Sequence, residues 1–403
     1  MPFKFSKFVL MLTLSAFAAS ILVDPEDQML HFKVPLFLLA LSVWMVRVVC
    51  RMVSPGSFKT WAAVLLFGII LPGMASIIGL LGHSIPVTDP HYFQIVRSCS
   101  MLLLIPVLSS EGIDLMKHII RWSFAVAAFT LALVVLSFNA PLIYSVVYEF
   151  TLQKDNAMFG SRDALGLGIG SFYYKTVAVL VFPLAYYLRN LLNRPKKVIS
   201  GVLAAVFLAA VLCSGSRATA LGAFFVIVAL GFQKLKTDFG MKVALPIIFV
   251  MIALPAGYFA SFFHPEESSN AAKLGHIHSY IENFSEHPIY LFWGQGADTE
   301  FYSQGFEAKT VVTELTYLEV IRWFGIPVAA IIFMALLYPV LELSRLSDAL
   351  SYLAIPYVAY LWEAGTNPLL VSATGTLMVS AIWGVVLMRR AKEPIPVTAE
   401  AVN

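Results

Sequence analysis

Charge is what this chain has least of. Asp, Glu, Lys and Arg make up 13% of its 403 residues, against about 25% in soluble globular domains. With 59% hydrophobic residues and a mean hydropathy of +0.81, water is not the solvent of this chain. Cysteine is equally sparse. Cys50, Cys99 and Cys213 stand without any CxxC pair, which argues against a disulfide framework or a zinc site. The run Gly166-Leu167-Gly168-Ile169-Gly170 contains no GxGxxG after a strand pattern, and no GKS or GKT occurs. A nucleotide loop is therefore discounted and no cofactor is expected.

Long apolar runs fill the chain instead. Twelve are recognisable, at 6–23, 31–49, 61–81, 91–109, 119–138, 175–192, 198–215, 218–233, 243–263, 312–340, 351–365 and 369–388. Most approach the roughly 20 residues needed to cross a hydrocarbon core as a helix. This predicts an all-α integral membrane protein of about 12 transmembrane helices, a single polytopic membrane domain over residues 1–403. The eighth and eleventh runs are short, which points to tilted or broken helices.

Lys and Arg concentrate in cytoplasmic loops. Placing both termini in the cytoplasm puts 18 of the 27 basic residues inside and 17 of the 24 carboxylates outside. The small net charge of +3 hides this asymmetry. A basic inner face is the ordinary signal of topology, so no nucleic-acid partner is read from it. Lys4 and Lys7, followed by an apolar stretch ending Ala16-Phe17-Ala18-Ala19, also fit a cleavable secretory signal. Eleven further runs favour retention of this segment as the first helix.

Two outer loops, 139–174 and 264–311, are long enough to hold structure. The first carries Lys154, Arg162, Asp163, the glycine-rich run and Tyr173-Tyr174-Lys175, and reads as a flexible re-entrant segment. The second predicts an amphipathic helix from about Asn270 to Phe284. At 100° per residue, Leu274, Ile277, Ile281 and Phe284 share a stripe, flanked by Lys273, His276 and Tyr280. Such a helix would lie on the outer membrane surface, its stripe against the bundle or lipid and its basic flank toward a polar cavity. A solvated loop helix is the plainer alternative. His276 and His278 are two apart, which on a helix points them away from each other, so a metal is not expected.

Arg217 is the most informative single residue. It follows Cys213-Ser214-Gly215-Ser216 at the outer end of the seventh run, where the positive-inside bias argues against it. A guanidinium at membrane depth is costly and by default a functional candidate, and its planar fork suits phosphate oxygens. An arginine snorkelling to headgroups is the alternative. Arg97 raises the same question. Glu319 and Arg322, three apart, can neutralise each other on one helical face, whereas Glu314 has no local partner and is freer for chemistry. Glu363, in Trp362-Glu363-Ala364-Gly365-Thr366-Asn367-Pro368, reads as the structural partner of an arginine.

Three stretches resemble the O-antigen polymerase and O-antigen ligase superfamily of bacterial envelope polysaccharide enzymes. They are Ser214-Gly215-Ser216-Arg217-Ala218-Thr219-Ala220-Leu221; the segment from Lys273 through His287-Pro288 to Gly294-Gln295-Gly296; and Glu314-Leu315-Thr316-Tyr317-Leu318-Glu319 followed by Phe324-Gly325-Ile326-Pro327. Their order, spacing and sidedness carry the likeness. The family usually has Arg where this chain has Lys273. Its ligases carry His where this chain has Thr313-Glu314, which favours a polymerase.

The resemblance implies a metal-independent glycosyltransferase of the bacterial inner membrane, with 139–174 and 264–311 as periplasmic loops. Its donor would be an undecaprenyl-diphosphate-linked oligosaccharide and its acceptor a hydroxyl of a second glycan, with a chain-length regulator as a conceivable partner. Arg217, assisted by Lys273, Arg162 and Arg97, would take the diphosphate. Glu314 would be the base, with His276 and His287 as competitors. Ligation to lipid A core is the alternative within the family. Outside it stand a lipid-linked sugar flippase or transporter, against which the outer clustering of charge and the absence of a repeat between halves argue, and a structural membrane subunit, which gives no reason for the basic outer loop.

Overall fold

The structure, a computed structural model, describes residues 2–82, 94–154, 156–158, 163–164, 169–170, 172–193, 198–253, 268–346 and 350–391. Helices α1 (Pro2–Val23) and α2 (Lys33–Val49) pair, and α1 also packs on α7 (Leu115–Asn139). Between them in sequence lie α3 (Phe58–Leu65), a π-helical turn (Leu66–Ile70) and α4 (Leu71–Gly82), then α5 (Gln94–Cys99) and α6 (Leu104–Glu111). After α8 (Pro141–Gln153) come α9 (Val181–Asn193), α10 (Val198–Cys213), α11 (Arg217–Phe239) and α12 (Met241–Ala253). The second outer loop holds α13 (Ser268–Glu286), α14 (Tyr290–Trp293) and the hairpin β1–β2 (Phe301–Ser303, Ala308–Thr310). The chain ends with α15 (Thr316–Arg345), α16 (Ala354–Thr366) and α17 (Ala373–Arg390).

Among the described residues, five helices are long and apolar enough to cross a membrane: Lys4–Val23, Phe58–Gly82, Leu115–Asn139, Arg217–Phe239 and Thr316–Arg345. The chain is that of a multi-pass, all-α membrane protein. Its core is built from α1, α7, α9, α16 and α17, whose Phe17, Val126, Phe182, Tyr357 and Leu377 are buried. Large apolar side chains elsewhere remain exposed, such as Phe249 at 73% and Leu142 at 78%, as expected where the surrounding solvent is hydrocarbon.

The first outer loop differs from its expected form. Residues 141–153 form α8, started by Pro141 at the first helical position, where a missing N–H costs nothing. Of the glycine-rich segment, Ile169–Gly170 is described, paired antiparallel with Asp163–Ala164. Arg162 lies outside the described residues.

At one end of the bundle, Arg47 grips Glu111 with both Nε (2.6 Å) and Nη2 (3.0 Å), and both side chains are almost fully buried. Lys7 Nζ donates to the Glu111 carbonyl at 2.6 Å. These bonds tie α1, α2 and α6 into one unit.

Candidate functional site

The first turn of α15 organises the opposite end. Glu319 accepts the Thr313 N–H at 2.7 Å through Oε1, and Arg322 Nε (3.0 Å) and Nη2 (2.7 Å) through Oε2. Arg322 also donates from Nη1 to Thr299 Oγ1 (2.8 Å) and the Thr299 carbonyl (3.0 Å), and from Nη2 to the Val311 carbonyl (2.6 Å). Its Cζ lies over the Phe301 ring, 4.5 Å from the centroid. The local neutralisation expected from the i,i+3 spacing is present, and its hydrogen bonds go on to hold the hairpin.

The Gly294-Gln295-Gly296 segment is wedged behind this pair. Gln295 N–H donates to the Arg322 carbonyl at 2.6 Å, and Ala297 N–H to the Ala75 carbonyl of α4 at 2.9 Å. Gly325 breaks the helical path of α15 at φ 74°, and Gly294 adopts φ 76°. A Cβ on Gly294 would come within 2.2 Å of the Trp323 carbonyl oxygen, and one on Gly325 within 2.3 Å of that of Phe292. These two glycines, thirty-one positions apart, thus serve backbone contact, each at a φ that disfavours side chains.

Helix α13 covers the hairpin. It extends two residues past the predicted Asn270–Phe284 at each end, yet its faces are used differently. Leu274, Ile277 and Ile281 are 48%, 37% and 59% exposed, so the apolar stripe faces away from the protein. The opposite flank is fastened inward. His276 Nδ1 and Ser303 Oγ share a bond at 2.7 Å, Tyr280 and Thr313 hydroxyls at 2.7 Å, and Ser279 Oγ accepts the Gln304 N–H at 2.7 Å. Burial lowers the proton affinity of His276, with Glu319 opposing and Lys273 adding to the shift. Its Nε2 has no hydrogen-bond partner among the described residues.

Lys273 reaches further. Its Nζ lies 3.7 Å from Glu314 Oε2, and the two side chains are 26% and 32% exposed. Glu314 therefore has a partner, supplied by a residue too distant in sequence for helical spacing to reveal. His287 sits at the far end of α13, exposed and against the Tyr290 ring at 5.0 Å. Helical rise alone separates it from Lys273 by roughly 20 Å. Arg97 is exposed on α5, near Lys33.

Arg217 opens α11 directly after its N-cap, Ser216, whose Oγ accepts the Thr219 N–H at 3.3 Å. Thr219 in turn donates its hydroxyl to Glu363 Oε1 on α16. The end of α16 meets the start of α15: Thr316 Oγ1 donates to the Asn367 carbonyl (2.8 Å), and the Tyr317 hydroxyl to that of Leu361 (2.6 Å). The first outer loop joins through Phe172 N–H, which donates to the Cys213 carbonyl at 3.3 Å. These bonds connect the Ser214–Arg217 turn, α16, the head of α15 and the Phe172–Tyr174 segment.

Comparison with protein-family models, curated proteins and solved structures finds no match. The geometry stands alone.

Reading the sequence by itself missed two members of this neighbourhood. Tyr173 is buried, and burial pushes its phenol well above the usual range, with Glu363, Tyr360 and Glu314 adding to the shift. It thus stands within electrostatic reach of both carboxylates. Glu363, expected to neutralise an arginine, is fully buried and bonded to Thr219, with Oε2 unpartnered among the described residues. The hydroxyls of Tyr173 and Tyr360 are unpartnered in the same sense. The Tyr173-Tyr174-Lys175 run at the mouth of the sixth apolar stretch was the available signal. Its meaning depended on packing against α16.

The arrangement offers a partly open acid–base pair, Lys273 with Glu314, and an arginine-bearing helix start. Buried polar groups with unused hydrogen-bonding capacity lie behind them. That set can receive an anionic group and accept a proton near it.

Proposed function

We propose that this chain polymerises polyprenyl-diphosphate-linked oligosaccharide repeat units at the periplasmic face of a bacterial inner membrane. In this reading the twelve apolar runs are its membrane spans and both termini are cytoplasmic. The observation that carries the proposal is the Lys273–Glu314 pair at 3.7 Å. It joins two of the three stretches that resemble the polymerase and ligase superfamily, and the bonds through Thr219, Glu363 and Asn367 tie in the third.

The chemistry needs no nucleotide and no metal, because the lipid diphosphate is itself the leaving group. Glu314 takes the proton of the acceptor hydroxyl as its oxygen bonds to the donor's anomeric carbon. The bond from that carbon to the diphosphate oxygen breaks, and the diphosphate leaves with the electron pair. Arg217 grips the departing oxygens in two places and Lys273 adds a point charge. The proposal gives His276 a structural duty instead, since its Nδ1 is spent on Ser303 and its ring is buried. His287 is given no part: it is exposed just past α13, roughly 20 Å along the helix axis from Lys273.

Deletion of the gene, followed by gel analysis of surface glycans, tests this. Glycans carrying one repeat unit support polymerisation. Long polymer that is unattached to lipid A core identifies a ligase, and an unchanged ladder overturns both readings.

A further inference from the structure

A separate apolar cavity of about 580 Å³ runs along α15, between α3–α4 on one side and α5 and α17 on the other. From Lys59 to Pro72 its wall advances roughly 20 Å at helical rise, more than half of the about 30 Å hydrocarbon core. The π-helical turn Leu66–Ile70 lies in that wall and supplies Phe67 to the lining. Such turns are rare and frequent at functional sites. Ile331 and Met334, also lining it, are 48% and 63% exposed, so the cavity opens sideways to the bilayer.

Its polarity runs one way. The charged lining residues are Lys59 and Arg390, both at the end that the charge asymmetry assigns to the cytoplasm. Arg390 lies over the Tyr338 ring at 5.1 Å and shares Glu342 with Arg345, at 2.9 Å and 3.1 Å. Two arginines on one carboxylate leave a net positive charge, and Lys59 adds another. Tyr338 stacks on Trp383 at 5.3 Å beside them, the aromatic chemistry of a membrane interface. At the outer end the lining is Val320, Phe324, Leu370 and Val371.

We propose that this cavity binds an anionic phospholipid of the cytoplasmic leaflet. The phosphate lies at Lys59 and Arg390, and an acyl chain follows the groove outward. Basic pockets between helices on the cytoplasmic side suit anionic headgroups, and a zwitterionic lipid, whose phosphate is balanced by its own cation, would gain less from the net positive charge there. The lipid-linked donor of the proposed reaction fits less well. Its diphosphate belongs at the outer face, where this cavity presents only apolar side chains. The inference stands independently of the glycosyltransferase reading.

The full-length protein, reconstituted in nanodiscs of equal phosphatidylglycerol and phosphatidylcholine, is released into mild detergent and its retained lipid identified by native mass spectrometry. Wild type is expected to retain phosphatidylglycerol in preference. Lys59→Gln, an exposed position whose change leaves the helix intact, is expected to lower that preference about fivefold, the weight of one interfacial cation. Ala335→Trp fills the groove without altering charge and is expected to release the lipid altogether. Equal retention of phosphatidylglycerol by either variant overturns the proposal, as does a polyprenyl phosphate or a neutral lipid found in its place in protein taken directly from cells.

Discussion

Glu314 and Glu319 stand five residues apart at the head of α15, and their surroundings are opposite. Glu319 is 1% exposed, and both of its oxygens are committed to Thr313 and Arg322. Glu314 is 32% exposed and has one cation at 3.7 Å. The opposite end of the molecule repeats the first pattern in Arg47–Glu111, buried and doubly bonded. An ion pair whose hydrogen-bonding capacity is used up inside the fold holds structure together, whereas one left partly open can exchange its partner for a substrate.

The largest effect in this comparison belongs to the closed pairs. Removing one member strands the other charge away from water, at a cost of about 3–5 kcal/mol. Arg322→Ala is therefore expected to lower thermal stability sharply and to release the hairpin β1–β2, measured as faster proteolysis within 295–311. Arg47→Ala should destabilise comparably without loosening that hairpin. A stable Arg322→Ala protein with an intact hairpin would break the distinction.

Glu314→Gln tests the open side. The amide keeps the shape of the side chain but cannot take a proton at neutral pH. Transfer by the purified enzyme is expected to slow by at least about a hundredfold, while lipid-linked substrate binding and the unfolding temperature stay near wild type. Near wild-type turnover would remove Glu314 from the mechanism and leave Glu363, the other carboxylate near Tyr173, as the candidate base.

How much of this was readable beforehand follows from the range of each interaction. The Glu319–Arg322 pair and the helix over 268–286 are local, set by spacings of three and four residues, and the amino-acid order shows them. Lys273–Glu314, Thr219–Glu363 and Gly294 against Gly325 join residues 31 to 144 positions apart. Their pairing is decided by which helices pack together. The apolar stripe of α13 was recognisable as a stripe, but whether it faced protein or bilayer depended on the hairpin that covers its other side. Tyr173 lies in the same category, since its significance arises from α16 and α15.

Arg217→Lys separates phosphate recognition from mere charge. Lysine keeps the positive charge at the start of α11 and cannot span two oxygens as a guanidinium does. Loss of one charge-assisted contact, roughly 1.5–3 kcal/mol, is expected to reduce kcat/KM about tenfold to a hundredfold with expression unchanged. Wild-type polymer from this variant would identify Arg217 as a snorkelling side chain.

The smallest effect is expected at Lys273, the cation of the open pair. A pair this accessible contributes about 0.2–1 kcal/mol to stability, so neither Lys273→Ala nor Lys273→Arg should move the unfolding temperature noticeably. Activity should part them. If Lys273 meets the diphosphate, the alanine variant loses roughly fivefold to tenfold in kcat/KM, and the arginine variant matches or exceeds wild type because its fork adds a second contact. A purely structural Lys273 predicts that both variants turn over like wild type. That outcome would confine the open side of the comparison to Glu314, and the cation serving the leaving group would then have to come from Arg217 alone among the residues gathered here.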